Sequence, residues 1–306
     1  MFSAYLTINI KQIRHYKDIK GVYMDQQPSA LVTGASTGIG YELSKVLIQK
    51  GYLVFGSVRT VADANRLSKD FGQNFVPLQF DVTDYAAIEK SVDLVKAKLG
   101  KNKLSLLINN AGVAVFGPLA HLGMEDFKKQ FEINVFGPQK ITQVYLPLLG
   151  MDQTLVGLPG KIINISSVAG KRGLPFLGPY AASKHALEGW SQSLRRELLP
   201  FGIDVIVIGP GTIKTPIWDK AEDQGMQQFD NTTYKQSLKQ FGDFAISAGK
   251  TGLEVSAIGD LLIKILQTKK PQTRYAIVPN PIYNQVLPAI LPPRVLDRLI
   301  AKKFGL

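Results

Sequence analysis

Tyr180 and Lys184 lie four residues apart, so on a helix they share one face. A phenol with a pKa near ~10 is too weak an acid to give up a proton readily at neutrality. An ammonium group fixed about 4 Å away attracts the phenolate by roughly 4 kcal/mol at an effective dielectric near 20. At about 1.4 kcal/mol per pKa unit, that is a depression of about two to three units, enough to make the phenol a proton donor to an oxygen gaining negative charge. The spacing alone is not diagnostic. Tyr16 with Lys20 and Tyr41 with Lys45 repeat it, and Ser3 stands 13 residues before Tyr16 just as Ser167 stands 13 before Tyr180. Context separates them: Ser167 closes the strand-like run Asn164-Ile165-Ser166-Ser167, and Tyr180 opens a long helical pattern in the second half of the chain.

A second constellation lies near the start. Thr33-Gly34-Ala35-Ser36-Thr37-Gly38-Ile39-Gly40 follows an apolar strand and opens an amphipathic helix. Glycines permit a tight turn and close backbone approach to a pyrophosphate, and the helix N-terminus favours its charge. The spacing is Gly-x-x-x-Gly-x-Gly rather than Gly-x-Gly-x-x-Gly. With Asp81-Val82 after the third strand and Asn109-Asn110-Ala111-Gly112 after the fourth, the chain resembles the short-chain dehydrogenase/reductase family over about residues 28–280.

That resemblance implies a nicotinamide dinucleotide and a set of roles. Asn134, in Glu132-Ile133-Asn134-Val135, completes with Ser167, Tyr180 and Lys184 what resembles the family's catalytic tetrad. Hydride transfer to a carbonyl builds charge on oxygen. Tyr180 would donate the proton, Ser167 would orient the oxygen, and Lys184 would lower the Tyr180 pKa and hold the nicotinamide ribose. Asn134 would anchor a water that relays protons to Lys184. Gly34, Ser36, Thr37, Gly38, Ile39 and Gly40 would cradle the diphosphate. Asp81 and Val82 would hold the adenine, and Asn109, Ala111 and Gly112 would border the ribose. Pro210-Gly211-Thr212-Ile213-Lys214-Thr215 matches the family's Pro-Gly-x-x-x-Thr segment. Pro210, Gly211, Ile213 and Thr215 are thereby assigned to the nicotinamide carboxamide.

The end of the second strand bears on the nucleotide. An acid there would bind a ribose 2′-hydroxyl and repel a 2′-phosphate. Val58 occupies that place and Arg59 follows. A guanidinium suits a phosphate through charge and its planar fork of donors. The reading is NADP(H), with Arg59 and Ser36 as 2′-phosphate ligands; NAD(H), with Arg59 stacked on adenine, is the alternative.

These groups need a scaffold, and the pattern supplies one. Apolar strands at 30–32, 53–58, 75–80, 104–108, 161–165, 203–208 and 274–278 alternate with helical stretches at 40–50, 61–71, 86–99, 126–149 and 180–199. Near-continuous apolar strands between amphipathic helices predict a single α/β domain: a Rossmann-type doubly wound parallel sheet. Residues 1–27 read as an extension outside the fold, with Met24 as a candidate start. Residues 211–255, polar and weakly periodic, read as a lid, with Trp218, Phe229 and Tyr234 as pocket candidates. Residues 281–306 read as an amphipathic extension whose Leu287, Ile290, Leu291, Val295, Leu296, Leu299 and Ile300 share a face that covers the substrate mouth.

Composition narrows the classes. The 306 residues contain no Cys and three scattered His, against disulfides and zinc. The charge of +12 sits at the ends: residues 1–24 hold four basic and one acidic residue, residues 261–306 eight and one, and the body 24 and 22. No nucleic-acid motif accompanies it. The basic tail leaves peripheral membrane contact as an alternative in an otherwise cytoplasmic protein. His185, one residue beyond Lys184, faces elsewhere and reads as structural.

Tyr180-Ala-Ala-Ser-Lys-His-Ala-Leu-Glu-Gly-Trp, and Lys269-Lys270-Pro271-Gln272-Thr273-Arg274-Tyr275, resemble the hydroxysteroid and retinol dehydrogenase branch. The implied function is interconversion of an alcohol and a ketone or aldehyde on a small, lipophilic substrate. The alternatives are a 3-oxoacyl-carrier-protein reductase and a catalytically silent dinucleotide sensor. By the same resemblance the helices at 126–149 and 180–199 pair across a two-fold axis, giving a homodimer or homotetramer.

Overall fold

The computed structural model describes residues 26–215 and 226–306. The extension before Gln26, with Met24, and Trp218 lie outside the described residues. Gln27, expected beyond the fold, joins it: its amide donates to Gly51 O and Asn74 Oδ1.

Seven strands form one parallel sheet: β1 Ser29–Val32, β2 Leu53–Val58, β3 Phe75–Gln79, β4 Leu106–Asn109, β5 Lys161–Ile165, β6 Asp204–Pro210 and β7 Arg274–Ile277. Their order is β3-β2-β1-β4-β5-β6-β7, every neighbouring pair parallel. The chain winds outward from β1 in one direction and resumes at β4 in the other. The crevice where β1 and β4 diverge is the switch point at which such sheets bind ligands.

Strand alternation sorts the core into two layers. Leu31, Phe55, Leu78, Leu107, Ile162 and Val205 face one side and pack with Val92, Tyr145 and Leu194. These three come from α3 Tyr85–Leu99, α5 Gly137–Leu146 and α6 Gly178–Glu197. Ala30, Val32, Val54, Ile108, Ile163 and Ile206 face the other side, against Leu43, Leu47, Leu67 and Leu262. Those residues come from α1 Gly38–Gln49, α2 Val61–Phe71 and α8 Ser256–Gln267. Strand side chains buried on both faces account for the unbroken apolar runs.

Two expectations change. The helix expected over 126–149 is α4 Met124–Phe131 and α5, joined by a π-helical turn at Glu132–Phe136, with a second at Pro147–Met151. The polar stretch assigned to a lid contains a 17-residue helix, α7 Lys235–Thr251. Its inner face is Leu238, Phe241, Ala245 and Ala248, which recur at helical spacing among polar neighbours.

The tail does not present one apolar face. In α9 Pro293–Phe304, Phe304 is 1% exposed and Ile300 packs inward, whereas Val295 and Leu299 point outward. Phe304 sits 5.6 Å from the Phe241 ring and 5.5 Å from Phe244. Phe304→Ala should therefore lower the free energy of urea unfolding by about 3 kcal/mol. Leu299→Ala, on the outer face, should stay within about 0.5 kcal/mol. Similar losses for both would contradict this placement of the tail.

Candidate active site

The glycine turn is held by a lock between β1 and β4. Thr33 Oγ1 accepts from the backbone N–H of Asn110 (2.9 Å) and Ala111 (3.0 Å), while the Asn110 amide donates to Thr33 O (2.9 Å) and Gly34 O (3.3 Å). Gly34 has φ 65°, and a Cβ on Gly40 would stand 2.1 Å from Gly34 O. Neither position can carry a side chain without moving the turn. The N-terminus of α1 has no side-chain cap on Thr37 and no acid in its first turn, whereas α2 and α3 are capped by Thr60 and Asp84. A cradle of backbone N–H groups left to an anion fits a dinucleotide diphosphate.

Around the adenosine end, Ser57 Oγ accepts from Gly34 N (2.9 Å), Val58 is buried and Arg59 is exposed. Arg66, not singled out from the sequence, reaches back from α2 to donate to Ser36 O (2.7 Å) and Asp63 (2.9 Å). It holds the Asp63 carboxyl below its ordinary range, helped by Thr60 and Arg59. Arg66 thus lies against Ser36 and its turn, and Arg59 is near enough to Asp63 to act on its carboxylate. Asp81 accepts from Thr83 N and Oγ1, shaping the turn after β3, and Val82 is buried. The Asn109 side chain lies in the core, donating to Asn164 Oδ1 (2.8 Å) and Thr142 Oγ1 (3.0 Å), so it braces β4 against β5 and leaves only its backbone to face a ribose.

The four groups of the tetrad converge. Ser167 caps the turn after β5, accepting from Ala169 N (3.0 Å), and lies close enough to the Tyr180 phenol to act on its pKa. Lys184 Nζ lies 5.7 Å from the centre of the Tyr180 ring and donates to Ile165 O (2.8 Å). Gly112 closes the space: a Cβ there would stand 3.3 Å from Asn134 Oδ1 and 3.7 Å from Lys184 Nζ. Pro210 O faces Ser167 Oγ at 3.5 Å, Gly211 N bonds Ile277 O, and Ile213 bridges to Leu253, setting the 210–215 segment along one wall. Thr215 Oγ1 turns back to Ile213 O (3.5 Å).

Two details add to the sequence reading, and the second corrects it. The Asn134 amide is engaged by Val113 N and O (both 3.0 Å) and Ser183 Oγ (3.1 Å). It pins the segment after β4 at Val113. Burial, moreover, raises the Tyr180 phenol above its ordinary value, and Ser167, not Lys184, offsets part of that rise. Burial also drives the Lys184 ammonium down to about 8, opposed by the Glu188 carboxylate one helical turn on. His185 behaves as expected, bonding Ala181 O in its own helix (2.8 Å).

Above Tyr180 lies a third apolar cluster: Ala114, Phe116, Phe176, Leu177, Phe229, Leu238, Phe241, Ala245 and Phe304, with Tyr234 at its edge. Phe176 enters it with φ 64°, a backbone strain held by its surroundings.

The model of the short chain dehydrogenase family matches residues 28–225. The chain belongs to the short-chain dehydrogenase family. A protein of Ornithobacterium rhinotracheale called NADPH-dependent 3-dehydrocapnine reductase is 40% identical over 273 residues, covering 89% of this chain and 96% of its own. Dehydrogenase/reductase SDR family member 9 of Bos taurus is 31% identical over 260 residues, covering 80% of this chain and 78% of its own. Among solved structures, a short-chain dehydrogenase/reductase from Burkholderia phymatum in complex with NAD superposes with a TM-score of 0.72 at 23% identity, covering 86% of this chain and 92% of that one. The fold is therefore the family's, and this short-chain dehydrogenase is an NAD(P)-dependent oxidoreductase acting on a CH–OH or carbonyl group.

The low Lys184 value gives a pH expectation. The ammonium loses its proton as pH rises through about 8. The rate of carbonyl reduction should fall along an alkaline limb centred near that value. A profile flat from about pH 6 to 10 would contradict this assignment.

Proposed function

We propose that this enzyme uses NADPH to reduce a ketone or aldehyde on a small, lipophilic substrate, and NADP+ to run the reverse reaction. The observation that carries the reading is the Tyr180 phenol, beside Ser167 and Lys184 and roofed by the aromatic cluster of Phe116, Phe176, Phe241 and Phe304. Such a roof leaves an apolar substrate little to lose on desolvation and offers a charged one few partners.

Bound NADPH supplies the hydride that adds to the carbonyl carbon. Tyr180 gives its proton to the carbonyl oxygen as the C–O double bond becomes a single bond. Ser167 donates to that oxygen and fixes its distance from the phenol. Lys184 stabilises the phenolate left behind and holds the ribose hydroxyls of the nicotinamide half. Asn134 keeps the wall at Gly112 and Val113 in place. Gly34, Ser36, Thr37, Gly38, Ile39 and Gly40 take the diphosphate side, Asp81, Val82, Ala111 and Gly112 the adenosine and ribose, and Pro210, Gly211, Ile213 and Thr215 the carboxamide.

The preference for NADP(H) rests on exposed Arg59 at the end of β2 and on Arg66 against Ser36 O, with Val58 where an acid would repel phosphate. The name of the 40% identical relative, an NADPH-dependent reductase, supports it. The buried Phe304 favours a roof role for the tail over lipid contact. Exposed Ile290, Val295 and Leu299 beside Arg294 and Arg298 are the surface an anionic membrane would meet. Self-association would use α4 and the π-helical turn after it, where Phe127, Phe131 and exposed Phe136 line a shallow depression of about 280 Å³.

Kinetics with both cofactors and a series of lipophilic ketones test this. Arg59→Ala and Arg66→Ala should each raise the Michaelis constant for NADPH by about tenfold, near 1.4 kcal/mol. That for NADH should change by less than about threefold. Equal losses for the two cofactors would rule out the phosphate role, and turnover confined to short polar ketones would rule out the substrate class.

A further inference from the structure

Glu188 is a buried carboxylate that the chemistry above leaves without a task. It lies one helical turn beyond Lys184 on α6, and its side chain is only 5% exposed. Arg274 Nε donates to both of its oxygens (2.9 and 3.0 Å), and Lys171 Nζ approaches Oε2 from the outer side (3.2 Å). Arg274 belongs to β7, the last strand, and its Nη2 also reaches Ser167 O (3.4 Å). To do so the guanidinium crosses β6 at Gly209, where a Cβ would stand 2.5 Å from Nη2. On the other side, a Cβ on Gly170 would meet Ser166 Oγ at 2.7 Å and Glu188 Cγ at 3.0 Å. Two glycines thus clear the path of one buried ion pair. The Ser166 hydroxyl beside it has no partner among the described residues.

We propose that Glu188 and Arg274 are positioning residues for the reaction: the pair ties the last strand to the backbone at Ser167 and sets how firmly Lys184 keeps its charge. This rests on the functional reading above, in which Ser167 and Lys184 serve Tyr180. The charged and titratable groups about the pair are Lys184 and Tyr180 on α6 itself, Lys171 from the turn after β5 and Arg274 from β7. Glu188 stands between Lys184 on one side and Arg274 with Lys171 on the other, so its charge is shared. Removing the carboxylate leaves Lys184 facing two cations, and its proton departs at lower pH. Removing Arg274 returns the carboxylate to Lys184 and deletes a repelling cation, and the proton departs at higher pH. A merely structural brace would not move the two variants in opposite directions.

The test uses Glu188→Gln, Arg274→Met and the double variant in the full chain. Two readouts are followed: the alkaline limb of ketone reduction, and the titration of Lys184 by NMR of protein carrying 13Cε-labelled lysine, its signal assigned by loss in Lys184→Met. Glu188→Gln should shift both midpoints down by about one pH unit, and Arg274→Met should shift both up by a similar amount. The double variant should fall between them and melt above Glu188→Gln, because no unpaired buried charge remains. If Glu188→Gln does not fold, the upward shift in Arg274→Met and the intermediate double variant decide the matter. Midpoints within about 0.3 unit of wild type, or shifts in the same direction, would overturn the proposal. A wild-type protein that reduces no ketone while its Lys184 signal moves as described would instead overturn the functional reading and leave the charge coupling standing.

Discussion

A parallel sheet buried on both faces has one place to do chemistry: the edge where its strands end. Side chains within the strands are committed to the two core layers, so the reactive groups come from the segments that follow β1, β4, β5 and β6. The Thr33–Asn110 lock makes that edge rigid where it matters. One hydroxyl accepts two backbone N–H groups from the segment after β4, and one amide spans two carbonyls of the glycine turn. The turn, the Gly112 wall and the Lys184 ammonium are placed relative to one another through this joint and through Asn134, which holds Val113 from both sides.

Burial then sets the electrostatics. The same enclosure that packs Tyr180 under an aromatic roof raises its phenol and pulls the Lys184 ammonium down to about 8. Both shifts favour the neutral forms, so a phenolate beside an ammonium is harder to form here than it would be in water. The polar groups beneath form a ladder through the core, from Thr142 through Asn109 and Asn164 to Ser191. Buried hydrogen bonds of this kind fix a geometry more than they add stability.

Much of this was legible in the sequence, because strands buried on both faces and glycine turns leave strong local marks. All seven strands lie where the apolar runs place them, and the glycine turn, Ser167, Tyr180 and Lys184 meet at one sheet edge. What stayed hidden depends on contacts distant in sequence. Helix α7 carries Leu238, Phe241, Ala245 and Ala248 at helical spacing, but the polar residues between them read as a loop until the aromatic cluster gives that face something to pack against. The π-helical turn that carries Asn134 has no residue signature in Glu132–Phe136. Arg66 reads as one more surface arginine until α2 brings it to Ser36, 30 residues away. Glu188 and Arg274 are 86 residues apart, and nothing local announces that they pair. The expected depression of the Tyr180 phenol failed for a physical reason: helical spacing shows that two groups are near, not how much water both have lost.

The central claim is that Tyr180 protonates a carbonyl oxygen as hydride arrives from the nicotinamide. It is tested most directly by incubating a long-chain ketone with NADPH deuterated at the transferring position and the wild-type protein or Tyr180→Phe. Wild type should give an alcohol with one deuterium on the carbinol carbon. Tyr180→Phe should bind NADPH with a dissociation constant within about threefold of wild type, yet form that alcohol at least about a hundredfold more slowly, the loss expected for a missing general acid. Deuterated alcohol formed by Tyr180→Phe at a rate within about tenfold of wild type would contradict the account.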